Sequence, residues 1–175
     1  MTQNPITNLL EVAVDIVMAP GHMETPGIKR IPLFKDELVM VVQANHHLIS
    51  KSYILAEDIL DENYLTYSKT AQPGFEYERF IRPSGVVPHL VIVVEVTDAI
   101  IELVASGFGV SILSRWAVSS AYNSGKIAVI PLGEKGLSLD WSALVRESDA
   151  TQSHPARLAK LMAAWYQQNS NRQIK

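Results

Sequence analysis

The sequence predicts an α/β fold folded as two lobes, on three observations. Short β-branched runs alternate with helical patterns along 175 residues, the mark of repeated βαβ units. A composition 47% hydrophobic and 19% charged suits a packed globular chain rather than a disordered or fibrous one. Finally, the chain has two places to pass between lobes, Lys35–Leu38 and Ser138–Trp141, and both lie in extended segments without a Pro/Gly-rich linker. Two strand crossings place the lobes side by side, with a cleft between them.

The elements follow in order. Strands are predicted near Val12–Met18, Ile28–Phe34, Glu37–Gln43, Tyr64–Tyr67, Val91–Glu95, Gly109–Leu113, Ile127–Pro131 and Leu137–Val145. In the last, Leu137, Leu139, Trp141, Ala143 and Val145 alternate with Ser138, Asp140 and Ser142, the period of a strand with one buried face. A helical pattern covers Phe75–Ile81. Ile100, Leu103, Val104 and Gly107 form a second helical stripe, with Thr97 as its N-cap and Asp98 meeting the positive end of the helix dipole. Ser114 caps a third helix through Trp116 and Tyr122, ended by Asn123 and Gly125. The last helix starts near Ser153, with Leu158, Leu161, Met162 and Trp165 as its apolar seam, and the polar tail Asn169–Lys175 is expected to fray.

Composition excludes several functions. With no cysteine there is no disulfide framework, thiolate zinc site or cysteine nucleophile. A formal net charge of −3 gives no basic footprint for nucleic acid. The longest uncharged stretch, Leu38–Ser50, carries polar residues and falls short of the ~18 apolar residues of a membrane helix. Nothing near Met1 resembles a secretion signal, so the expected compartment is the cytoplasm.

Catalytic constellations are weak. None of His22, His46, His47, His89 and His154 sits in a metal-ligand motif, and adjacent His46 and His47 should point apart on an extended chain, so all five are read as surface or loop residues. Gly107-Phe108-Gly109 follows a helix and leads into a strand, the reverse of a dinucleotide-binding turn, and is read as a helix end. Ser111 lacks the closing glycine of a nucleophile elbow and reads as a strand serine. Glu57–Asp58 and Asp61–Glu62 read as solvated carboxylates. No enzyme activity, metal or cofactor is expected. More suggestive is Thr66-Tyr67-Ser68-Lys69-Thr70, where a strand ends in hydroxyls and an amine; ligands of open α/β sheets bind at such strand ends, as at Met18–Ala19 and Thr97.

Several blocks together resemble the effector-binding (substrate-binding) domain of LysR-type transcriptional regulators. They are Leu9-Leu10-Glu11 with Val14-Asp15-Ile16-Val17, Ile31-Pro32-Leu33-Phe34-Lys35-Asp36-Glu37-Leu38-Val39, His46-His47-Leu48 in place of the usual His-Pro-Leu, and Leu103–Leu113. The match runs from about Leu9 to Gln168. Ser114–Val118 and Ile130–Leu137 further resemble the branch that regulates methionine biosynthesis, whose co-inducer is homocysteine.

The resemblance implies two Rossmann-like lobes of the periplasmic-binding-protein type joined by two crossover strands, with lobe I at 1–37 and 141–175 and lobe II at 38–140. It implies a non-catalytic sensor that binds a small effector, homocysteine or a related amino acid, at Met18, Ala19, Ser68, Lys69, Thr70, Val96 and Thr97. It also implies a homo-oligomer, a dimer, that reaches DNA only through an N-terminal helix-turn-helix outside this sequence. Lobe I is expected to lack its first strand and helix, with sheet edges pairing between chains or local disorder near Thr2–Asn8 as the consequence. The alternative from another class is a solute-binding protein of similar architecture.

Overall fold

A computed structural model describes residues 5–21, 24–68, 75–149 and 153–169. In chain order the elements begin with α1 (Pro5–Leu10), β1 (Val17–Pro20), β2 (Ile28–Gln43), β3 (Asn63–Thr66), a π-helical stretch Tyr77–Ile81 leading into α2 (Arg82–Ser84), and β4 (Leu90–Val93). They continue with α3 (Thr97–Ala105), β5 (Val110–Ser114), α4 (Arg115–Asn123), β6 (Ile127–Pro131), β7 (Leu137–Arg146) and α5 (His154–Asn169). The chain divides into two compact units, Met1–Lys35 with Leu139–Lys175, and Asp36–Ser138. It passes from one to the other inside β2 and again inside β7.

The first unit is built on β1 and β7, paired antiparallel with Val17 opposite Leu144 and Pro20 opposite Trp141, with β7 next to β2 in the strand order. Leu33, Ala143, Val145 and Ala159 form its core, and Met18, Phe34, Trp141 and Tyr166 pack against them. Phe34 and Tyr166 meet at 4.4 Å between ring centroids. Arg146 ties the start of the unit to β7: it donates to the carbonyls of Leu9 (3.0 Å) and Val14 (2.9 Å) and pairs with Asp15 (2.7 Å) and Asp149 (2.6 Å).

Two expectations are corrected here. α1 begins at Pro5 and Leu9 is fully buried, while residues 1–4 lie outside the described part. The first strand starts at Val17, not Val12, because Val12 turns the chain after α1 with φ 62°, a conformation in which no strand continues. The last helix buries Ala156 and Ala159, with Met162 and Tyr166 half-buried, whereas Leu158, Leu161 and Trp165 face outward. Small residues let this helix approach the sheet closely, which the larger stripe could not do. The expected fraying concerns mainly residues 170–175, outside the described part.

The second unit carries a mixed sheet. The inner part of β2, Leu38–Val42, is buried on both faces and pairs antiparallel with β5 and with β6. β5 and β3 run parallel, as do β3 and β4, and the four-residue β4 ends the strand order with Leu90 and Val93 exposed. The predicted strands Ile28–Phe34 and Glu37–Gln43 are one strand of 16 residues. The charged residues at the predicted crossing, Asp36 and Glu37, have partners: Ser114 Oγ donates to Asp36, Trp116 N–H donates to the same carboxylate at 3.2 Å, and Arg115 pairs with Glu37.

Ser114 is the N-cap of α4, as predicted, and accepts from Ala117 N–H. Helix α3 lays Ile100, Ile101 and Val104 against Val39, Val41, Leu65 and Leu113. β7 also departs from one-sided alternation, since Ser142 is buried along with Ala143, Leu144 and Val145.

Candidate functional site

In the second unit, the carboxyl end of β3 meets the amino end of α3. Val94 N–H donates to Thr66 O (2.9 Å), which keeps the chain after β4 beside β3, and the hydroxyls of Tyr67 and Thr97 are hydrogen-bonded at 2.8 Å. Thr97 is not the N-cap. Val96 holds that position in an extended conformation (φ −120°, ψ 125°) without a side-chain cap, and Thr97 is the first helical residue. Two β-branched residues in sequence explain the shift: Val96 keeps the extended backbone of the preceding run, and the Thr97 hydroxyl is taken by Tyr67. The first turn of α3 therefore presents backbone N–H groups and the positive end of the helix dipole without a capping side chain from Val96.

Ser68 follows directly, its carbonyl accepting from Thr66 Oγ1 at 3.5 Å. Lys69 and Thr70 lie outside the described residues. In the first unit, Met18 and Ala19 are half-buried inside β1, opposite Ala143 and Ser142, and Met18 packs on that unit's core.

One group at this strand end was not anticipated from the sequence. Glu76, at the start of the π-helical stretch, accepts from Tyr64 Oη at 3.3 Å. Burial pushes its carboxyl up, against the pull of its hydrogen bonds. Burial likewise raises Tyr67, opposed by its bond to Thr97, and raises Tyr64 well above the ordinary value, helped by the nearby Glu76 charge.

A raised carboxyl binds its proton more tightly in the folded chain than in the unfolded one. Its contribution to stability is fully present below the ordinary value of 4.5 and is lost as pH rises through the folded value. Glu76→Gln, neutral throughout, is expected to flatten that part of the pH dependence and to leave the chain at least as stable near neutral pH. Urea midpoints measured from below 4.5 to neutrality check it, and an unchanged slope would contradict the assignment.

Two further readings are settled by the second unit. Ser111 is fully buried and donates to Leu65 O at 2.7 Å, a strand serine as expected. His46 and His47, in contrast, do not point apart. The chain leaves β2 and enters a 3-10 turn at His47–Ser50, so both imidazoles turn toward Glu62, which is not the solvated carboxylate the sequence suggested. Burial pushes the His46 imidazole down, partly offset by Glu62.

Comparison with known proteins decides the family. A model described as the LysR substrate binding domain matches residues 1–167. The chain belongs to that family. The LysR substrate-binding domains are parts of transcriptional regulators, not enzymes, and this chain is an effector-binding regulatory domain of that type. It is 30% identical over 153 residues to the HTH-type transcriptional regulator MetR of Salmonella typhimurium, covering 87% of this chain and 48% of that protein.

MetR of Escherichia coli K12 is also 30% identical, over 152 residues, with 87% and 47% covered, so the LysR domain spans about half the length of these relatives. Among solved structures, the regulatory domain of MetR from N. meningitidis, in a double cysteine-to-serine mutant, superposes with a TM-score of 0.81 at 26% identity. That match covers 93% of this chain and 76% of the other. The effector-binding domain of QuiR in complex with shikimate shares the fold (TM-score 0.73, 23% identity, 94% of this chain and 77% of that one). No helix among the described residues is long and apolar enough to cross a membrane.

Proposed function

We propose that this LysR domain senses a small amino-acid effector, homocysteine or a close relative, and so controls transcription from the cytoplasm in a dimeric regulator. The effector residues are those the family resemblance implies: Met18, Ala19, Ser68, Lys69, Thr70, Val96 and Thr97. The observation that carries this reading is the Tyr67–Thr97 hydroxyl pair, which places two hydroxyl groups at the uncapped start of α3. A carboxylate there gains from the helix dipole and from backbone N–H donors. Glu76, at the same end of β3, offers a counter-charge for an ammonium group. The effector acts by its unequal affinity for two conformations of the domain, and in the intact regulator that bias passes to the DNA-binding arms.

Thermal unfolding with and without L-homocysteine tests the proposal. A ligand at ~100 times its Kd stabilises the folded chain by about 2.7 kcal/mol. Thr97→Val, which keeps shape and removes the hydroxyl, is expected to lose most of that shift. Equal shifts in the two proteins would remove Thr97 from the site, and no shift with homocysteine or methionine would remove this effector class.

A further inference from the structure

We propose that His46, His47 and Glu62 form a binding site for one divalent transition-metal ion. None of the three belongs to the proposed effector set. His46 closes the connection after β2, His47 opens the 3-10 turn, and Glu62 immediately precedes β3, so the fold brings together groups 15 and 16 positions apart in sequence.

The separations suit shared coordination better than direct bonding. His46 Nε2 lies 3.6 Å from Glu62 Oε2 and His47 Nε2 lies 3.5 Å from Glu62 Oε1. Both exceed the ~2.9 Å of an ordinary N–H···O bond. Two ligands each ~2.1 Å from a tetrahedral ion stand ~3.4 Å apart, close to what is found. One donor atom from each of the three side chains lies within 4.8 Å of the others, and the imidazoles sit side by side at 4.4 Å between centroids. The two imidazoles face different oxygens of Glu62, so a shared ion is bound through both carboxylate oxygens or after the carboxylate turns to offer one oxygen to both.

The site is also partly preorganised. The side chains of His46 and Glu62 are only 16% and 15% exposed, so packing restricts both, whereas His47 is 72% exposed and keeps one side open to water or a further ligand. Coordination through His46 Nε2 puts the ring proton on Nδ1, which now accepts from Leu48 N–H at 3.4 Å. That long contact opens when the ion binds. Two imidazoles and one carboxylate favour zinc, nickel or copper over magnesium or calcium, which prefer oxygen ligands throughout.

The test uses the untagged chain, titrated calorimetrically with zinc chloride in a non-chelating buffer. One zinc per chain is expected, with no magnesium binding at the same concentration. His47→Ala, at an exposed position, and Glu62→Gln are each expected to weaken zinc binding by at least the ~10–100-fold that losing a supporting outer-shell partner costs. His89→Ala, at another exposed histidine, should leave affinity unchanged. No binding by the wild-type chain, or equal affinity in wild type and His47→Ala, would overturn the site. Neither result bears on the effector.

Discussion

Gly109→Ala is expected to destabilise the second unit by about 3 kcal/mol or more, the upper end of the overpacking range. A Cβ at this position would lie 2.2 Å from the backbone carbonyl oxygen of Asn63, 2.7 Å from Leu65 Cδ1 and 2.9 Å from Asn63 Cβ. A flexible side chain could yield at such distances. The Asn63 carbonyl cannot, because it belongs to the first residue of β3, which is held between β4 and β5. The backbone must separate where β5 approaches β3. For a domain of this size the loss corresponds to a fall in Tm of roughly 6–12 °C. Gly125→Ala is the control. It too has positive φ (73°), but a Cβ there meets nothing within 4 Å, so only the left-handed backbone penalty of about 1–2 kcal/mol applies. Equal losses at the two positions would show that close approach is not what fixes Gly109.

Leu65→Ala is expected to cost about 2–5 kcal/mol in denaturant unfolding. Leu65 is fully buried on β3, within the cluster of Val39, Val41, Ile100, Val104 and Leu113. Its removal opens a cavity that strands on either side cannot close without giving up ladder hydrogen bonds. Because Leu65 Cδ1 also borders Gly109, the two positions should be coupled, and the sign of the coupling is informative. Shortening Leu65 removes one of the close contacts of an alanine at 109 but not the contact with Asn63 O. The double variant should therefore remain well below wild type, and full rescue would assign the Gly109 requirement to side-chain packing instead.

The parts of this fold legible in the sequence are those governed by neighbouring residues. Ile127–Pro131 and the Ser114 cap followed from β-branched runs and local capping chemistry, and both are found where expected. Readings failed where distant partners decide the outcome. Ile28–Phe34 and Glu37–Gln43 were read as two strands, yet they are one, in which Ser114, Trp116 and Arg115, about 80 positions away, satisfy the carboxylates of Asp36 and Glu37. The outward stripe of Leu158, Leu161 and Trp165 has the spacing of a buried seam, and only the packing of Ala156 and Ala159 selects the other face.

The candidate site divides along the same line. Its position at a strand end and a helix start was readable from Thr66–Ser68 and Thr97. The Val96 cap position, the Tyr67 partner of Thr97 and the approach of Glu76 depend on where β3, α3 and the π-helical stretch meet. His46 and His47 were read on an extended chain, and the 3-10 turn that redirects them has no strong sequence signal.

The shortness of β4 has a practical outcome for the concentrated protein. Among the described residues β4 ends the sheet, so a strand from another molecule docked alongside it would find only about two amide donors and two carbonyl acceptors over four residues, too few to seed ribbon growth despite the apolar Leu90 and Val93. Lengthening that margin, rather than adding more oily residues to it, is the change that would make the molecule prone to stacking into fibrils.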